Sequence, residues 1–432
     1  MSRKIVFQKA TRIEGNANIQ IEIKDGRIDT ARFMVHDFRA FEKFINGRRV
    51  EFVPHLISRI CGLCSVSHQV ASLKAIEDAL GVRTPLAVES LREIALLGER
   101  ISSHALSYYF LTMPDFVGAD GGVFELMKSH PEVTQEAFEL RHLGQEIVTL
   151  IGKRAVHPVS MGVGRFLIPP TAEDVQGVRR IAADIRDRSA RLIESAGGIQ
   201  ARPKGLTFPQ DQQINHVAYD GRPNKDIFHV YGRKGEVVAG FTRHEFEDNV
   251  SEMRAEWSFA KFPYLTRFGF PAGIMLVGPL SRSYQENGLL NDPAFADFEL
   301  TGRLRKSGLN LEDYDICRLL EIHAAARSIL SLLEDVDLTQ MTADVDFRVS
   351  GQGIGVVEAP RGLLVHSYLI KQGCIDRIRL LVATQFNNAC INLLIRDLAE
   401  KHLKGEKISP AGEKLIGRCV RVFDPCLSCA TH

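Results

Sequence analysis

Asp424-Pro425-Cys426-Leu427-Ser428-Cys429-Ala430-Thr431-His432 closes the chain, and Arg59-Ile60-Cys61-Gly62-Leu63-Cys64-Ser65-Val66-Ser67-His68 near its start is the stretch it has to meet. Each holds two thiols three residues apart, a spacing at which both sulfurs reach one metal centre, and each carries a His shortly after the second Cys. Four thiolates with imidazoles beside them define a soft-metal site. Almost the whole chain separates the two pairs, whereas a structural zinc ordinarily staples a small local unit. The metal is therefore expected at the centre of the fold, tying the two ends together.

At 432 residues the chain can bury a large core, and length alone suggests two or three domains. A composition of 45% hydrophobic and 25% charged residues is that of a soluble globular protein. Lys+Arg 54 against Asp+Glu 53 leaves no global field to recruit nucleic acid or an anionic membrane. No run approaches the roughly 18 to 20 apolar residues of a membrane span, so no direct span is expected. Outside the paired motifs, Cys317, Cys374, Cys390 and Cys419 are scattered among apolar neighbours, which predicts small buried thiols in a reducing compartment.

Alternation over 18–36 predicts a β hairpin, with Ile19, Ile21 and Ile23 on one face and a turn at Lys24-Asp25-Gly26-Arg27. Helical periodicity marks 40–45, then 66–80 closed by Gly81, placing the first Cys pair at a helix N-terminus where thiolate is favoured. Further helices are expected over 86–112, 131–153, 172–196, 311–335 and 388–402, with a hairpin in 353–384 around Glu358-Ala359-Pro360-Arg361-Gly362. Short strand-like runs with Pro/Gly punctuation make about 200–280 a candidate β-rich insertion. The expected fold class is α+β and predominantly helical: one domain over 1–432, a central helical bundle with an N-terminal β hairpin and small peripheral β-rich regions.

The two Cys motifs with their flanking Arg59, His68 and Asp424-Pro425, together with Thr11-Arg12-Ile13-Glu14-Gly15 and Glu358-Ala359-Pro360-Arg361-Gly362, resemble the large, catalytic subunit of nickel-iron hydrogenases. The resemblance spans the whole chain and implies a fold shared with the quinone-site subunit of respiratory complex I. It implies reversible cleavage of H2 at a nickel-iron centre whose iron carries CO and CN. By motif position Cys61 and Cys426 resemble the terminal nickel ligands, and Cys64 and Cys429 the bridging sulfurs. Glu14 resembles the carboxylate that takes the proton from Cys426, Arg361 the guanidinium over the open metal face with Asp424 as its partner, and His68 a hydrogen-bond partner of a bridging sulfur. Glu42 and His432, with a carbonyl near Leu380, resemble the ligands of a magnesium (or ferrous) ion, while Pro360, Ala383 and Thr384 resemble the groups facing the cyanides.

Asn16 after Gly15 and Leu363-Leu364-Val365 after Gly362 depart from many relatives and favour the cytoplasmic, cofactor-coupled members over periplasmic or membrane-linked uptake enzymes. The chain ends at the His where family precursors are cut, so a processed form or a variant lacking the tail is expected. A non-catalytic complex I-type relative would lack the four Cys; a structural zinc protein would leave Glu14, Glu42 and Arg361 without a role. With no further C-x-x-C for an iron-sulfur relay, electrons are expected to leave through an iron-sulfur small subunit, and on through flavin (diaphorase) or ferredoxin-linked subunits to NAD(P) or ferredoxin.

Overall fold

The computed structural model describes residues 3–119, 121–199, 205–222, 225–296, 298–307 and 311–432. Its centre is a set of long helices, Ser65–Leu80, Leu86–Ala105, Pro131–Gly152, Ala172–Ile199 and Tyr314–Leu332, packed through buried Leu, Ile, Val and Ala. The expected helix over 86–112 is α-helical to Ala105 and continues as a π-helical stretch, Leu106–Thr112. The expected N-terminal hairpin is the inner part of a three-stranded antiparallel sheet, Arg3–Lys9, Ala17–Lys24 and Arg27–Val35, with Ile19, Ile21 and Ile23 buried as the alternation requires.

A second antiparallel sheet, Gly351–Ala359, Gly362–Lys371 and Cys374–Leu381, positions the site. Pro360 and Arg361 are its two-residue turn, because Ala359 pairs directly with Gly362. This sheet lies flat on the Ser65–Leu80 helix for a steric reason. Added Cβ atoms at Gly351, Gly353 and Gly355 would stand 2.1, 2.2 and 1.9 Å from the carbonyl oxygens of Ala79, Ala75 and Ala71, so only a side-chain-free strand approaches that closely. Arg361 is thereby carried to the same end of the helix as Cys64.

Between 215 and 276 lie a four-stranded sheet, ordered 275–276, 215–220, 227–231, 237–242, and the 250–255/258–265 pair. The predicted 388–402 helix starts earlier, at Ala383, and ends at Lys401. Several helices are not among those expected, including Val53–Ile57, only five residues long, Val123–Ser129, Glu299–Ser307 and Pro410–Val422, which starts at a Ser409 N-cap followed by Pro410. Cys317, Cys390 and Cys419 are buried thiols, but Cys374 is not: it starts a strand beside the turn at Gln372-Gly373 and is half-buried. Among the described residues no helix is long and apolar enough to cross a membrane.

Candidate metal centre

The two Cys pairs meet in the interior. Cys64 is the N-cap of the Ser65–Leu80 helix and Cys426 that of the short Leu427–Ala430 helix, so both pairs present sulfur at a helix start. Cys61 Sγ lies 3.3 Å from Cys426 Sγ, Cys64 Sγ 3.1 Å from Cys429 Sγ, and Cys426 Sγ 3.0 Å from Cys429 Sγ. All four sulfurs fall within 4.8 Å of one another, and among the described residues no other group of three or more Cys, His, Asp or Glu is assembled for a metal. The four are free thiols no more than 6% exposed. Cys61 is held well below the usual thiol range by hydrogen bonds from the other sulfurs and by the Arg361 charge, while Cys426 is pushed up to about 11. A metal bound here must displace the protons that the thiols carry.

A small cavity opens over these sulfurs, lined by His68, Pro360, Arg361, Leu364, Ala383 and Thr384 among others. Its mixed wall of apolar groups, a hydroxyl and a guanidinium suits a metal pair with small extra ligands. Thr384 Oγ1 accepts from the Cys426 amide at 2.9 Å, fixing the helix N-terminus at Ala383 against the second Cys pair.

Arg361 Nε donates to the Asp424 carbonyl at 2.7 Å, its terminal nitrogens to Asp424 Oδ1 at 3.0 Å and Ser103 Oγ at 3.4 Å. Burial alone disfavours the cation, but Asp424 and the thiolates outweigh it and push its pKa upward. The turn bearing Arg361 is itself clamped by Arg282, which donates to Glu358 Oε2 at 3.0 Å and to the carbonyls of Ala359 and Pro360 at 2.9 and 3.1 Å.

Glu14 reaches the centre through the backbone. It forms a parallel bridge with Cys426 and its carbonyl accepts from Leu427 N at 3.2 Å. Its carboxylate accepts from Ser428 N at 3.0 Å and from the Ser428 hydroxyl. Gly15 permits this approach: its φ is +86°, and a Cβ there would stand 2.7 Å from Leu427 Cβ. Arg12 ties the same stretch down by donating to the Leu111 carbonyl at 2.8 Å and pairing with Asp115.

His68, one turn after Cys64, places Nε2 3.5 Å from Cys429 Sγ. Burial keeps it neutral, with its pKa lowered to about 4. At the C-terminus, His432 Nδ1 donates to the Cys429 carbonyl at 2.6 Å, which leaves Nε2 as a buried lone pair without a hydrogen-bond partner. Glu42 Oε1 stands 3.5 Å from that nitrogen and accepts from Leu380 N at 3.0 Å. A carboxylate facing an imidazole lone pair fits a hard cation between them.

Sequence reasoning missed Ser428, Ser103, Arg282, His366 and Glu99. Glu99, on the Leu86–Ala105 helix, accepts from Val66 N at 2.7 Å, Ser67 N at 3.1 Å and the Ser67 hydroxyl. Burial outweighs these bonds and raises its carboxyl from 4.5 to about 7. A raised carboxyl favours the fold while protonated, so this contribution is lost as pH climbs from 4.5 to about 7. Glu99→Gln should therefore gain on the wild type by roughly 2 kcal/mol between pH 5 and pH 8, read by denaturant unfolding of the metal-free protein. A pH-independent difference would contradict it.

A buried four-thiolate pocket with a guanidinium over its open face and a carboxylate hydrogen-bonded beside it defines a redox-metal enzyme centre. The chain belongs to the nickel-dependent hydrogenase family, whose profile matches residues 39–164 and 313–432. It is 32% identical to a component of the F420-non-reducing hydrogenase of Methanothermobacter marburgensis, over 99% of this chain and 94% of that protein. It is 31% identical to the beta subunit of the NAD-reducing hydrogenase HoxS of Cupriavidus necator, over 100% and 95%. A crystal structure of an NAD+-reducing [NiFe]-hydrogenase in the H2-reduced state superposes with a TM-score of 0.87 at 27% identity, covering all of both chains. The predominantly helical α+β fold and the oxidoreductase activity on H2 expected from the sequence hold.

Proposed function

We propose that the 432 residues form one hydrogenase large-subunit domain, the catalytic part of a cytoplasmic multi-subunit enzyme that exchanges electrons between H2 and a soluble acceptor, NAD(P) or ferredoxin. The observation that carries the reading is the set of four buried sulfurs within 4.8 Å beneath Arg361. Cys61 and Cys426 would be terminal ligands to nickel, and Cys64 and Cys429 would bridge nickel and an iron carrying CO and CN. Pro360, Ala383 and Thr384 would line the pocket for those diatomic ligands. Glu42 and His432, with the Leu380 carbonyl, would hold Mg2+ or Fe2+ and so pin the C-terminus.

When bound, the nickel-iron pair supplies a site that polarises H2 and withdraws its electrons. Arg361, locked by Asp424, holds a fixed positive charge over the cavity, and Leu364, Val382 and Ala383 keep its wall apolar. The Cys426 thiolate accepts the proton, becoming a thiol. Glu14 takes that proton as a carboxylic acid, with the Ser428 hydroxyl as its hydrogen-bond partner, and Cys426 returns to thiolate.

Electrons would leave through an iron-sulfur small subunit. This is supported by the naming of the relatives as subunits and by the scatter of Cys317, Cys374, Cys390 and Cys419, which assemble no second thiolate group among the described residues. A flavin-bearing diaphorase, or a ferredoxin-linked subunit, would complete the complex. The complex purified from its natural source should reduce NAD(P)+ or ferredoxin with H2. H2-dependent reduction of neither, in preparations that reduce an artificial dye, would exclude the soluble-acceptor assignment.

A further inference from the structure

Asp424 holds the tip of Arg361, while a buried charge cluster to which the chemistry above assigns no role holds the backbone that carries it. Arg282, the last residue of the Pro279–Arg282 helix, engages all five of its N–H donors. Two of them go to Glu321, from Nε to Oε1 at 2.8 Å and from a terminal nitrogen to Oε2 at 2.6 Å. The other three reach Glu358 Oε2 and the carbonyls of Ala359 and Pro360. His104 Nε2 donates to Glu321 Oε2 at 2.7 Å from the other side. Arg282 and Glu321 are each 5% exposed and His104 1%, and although burial disfavours both charges, the Arg282 guanidinium and the Glu321 carboxylate hold each other ionised.

Separate elements converge on the turn in this way. Glu321 comes from the Tyr314–Leu332 helix and His104 from the Leu86–Ala105 helix, whose preceding residue, Ser103, accepts from Arg361 itself. Gly278, just before the segment that bears Arg282, packs on the same turn: its φ is +110°, and a Cβ there would stand 2.7 Å from the Arg361 carbonyl oxygen. A buried ion pair is a weak source of stability, because the desolvation cost of two charges offsets most of their attraction. What this pair supplies is orientation. Glu321 fixes the plane of the guanidinium through two parallel bonds, which aims the remaining donors at the turn. Pro360 has a fixed φ and Ala359 pairs with Gly362, so the direction of the two gripped carbonyls sets where the Arg361 side chain begins.

We propose that Arg282, oriented by Glu321 and His104, is a positioning residue for the reaction: by gripping the carbonyls of Ala359 and Pro360 it sets the place of the Arg361 guanidinium over the metal face. The proposal rests on reading Arg361 as the charge that acts on H2 at that face. Asp424 and Ser103 then fix the tip of the side chain and Arg282 its base, and turnover depends on both.

Arg282→Lys keeps a cation between Glu321 and Glu358 but loses the planar fork that grips both carbonyls. At wild-type nickel and iron content, its H2 oxidation with an artificial acceptor should fall by about 10²-fold, the scale on which a displacement of about 1 Å acts on a catalytic group. Added to Arg361→Lys, the same substitution should cause no further fall, because the group being positioned is already altered, whereas a merely structural weakening would lower both backgrounds alike. Glu321→Gln, which frees the guanidinium plane and leaves Arg282 in place, should show the same dependence on Arg361. Wild-type turnover in fully loaded Arg282→Lys, or an equal loss in both backgrounds, overturns the proposal. Failure of both Arg282→Lys and Glu321→Gln to load metal would assign the cluster to folding alone and overturns it as well. Wild-type turnover in Arg361→Lys would instead remove the premise, a result distinct from each of these.

Discussion

A Cys429→Ser variant should purify without its nickel-iron centre and without measurable H2 oxidation. Cys429 lies at the crossing of three contacts, 3.1 Å from Cys64, 3.0 Å from Cys426 and 3.5 Å from His68. A serine hydroxyl is a harder donor with a far higher pKa, so it neither deprotonates for soft nickel nor bridges two metals. The surrounding fold does not depend on the sulfur: Gln385 Nε2 donates to the Ala430 carbonyl at 3.0 Å, and Thr384 holds Cys426 N. The variant should therefore fold, and elemental analysis should find nickel lost while circular dichroism is unchanged. Retention of nickel and iron at wild-type stoichiometry would exclude Cys429 as a ligand.

Glu14→Gln should do the opposite, keeping the metals and losing the turnover. Gln is nearly isosteric and its Oε1 still accepts from Ser428, but its amide neither takes up nor releases a proton. Loss of a positioned proton acceptor typically lowers rates by about 10² to 10⁴-fold. H2 oxidation with an artificial acceptor should fall by that order at unchanged nickel and iron content, and Glu14→Asp should recover part of it. Wild-type turnover in Glu14→Gln would move the proton exit elsewhere.

The sequence carried the centre of this fold further than its edges. Both C-x-x-C motifs, Arg361, Asp424, Glu14, His68, Glu42 and His432 stand out because each belongs to a local pattern, and the fold gathers each into one of two adjoining sites. What stayed hidden depends on contacts across most of the chain. Ser428 lies inside a motif, yet its meaning appears only when Glu14 arrives from 414 residues away. His366 reads as one more strand residue until the glycine-lined face of 351–355 brings that sheet onto the Ser65–Leu80 helix. Glu99 looks like an ordinary helix-surface carboxylate, and only the N–H groups of Val66 and Ser67 explain its burial. Helix starts failed for a related reason: Ala383 begins its helix because Thr384 must meet Cys426, a tertiary demand that local periodicity does not encode.

The central claim is that the four buried cysteines hold a nickel-iron pair on which H2 reacts, and infrared spectroscopy of the purified, metal-loaded enzyme tests it most directly. Metal-bound CO and CN absorb in a window free of protein bands. The account predicts bands there that shift when H2 is admitted. A blank window from protein shown to contain its full complement of metal would contradict it and return Cys61, Cys64, Cys426 and Cys429 to a structural site.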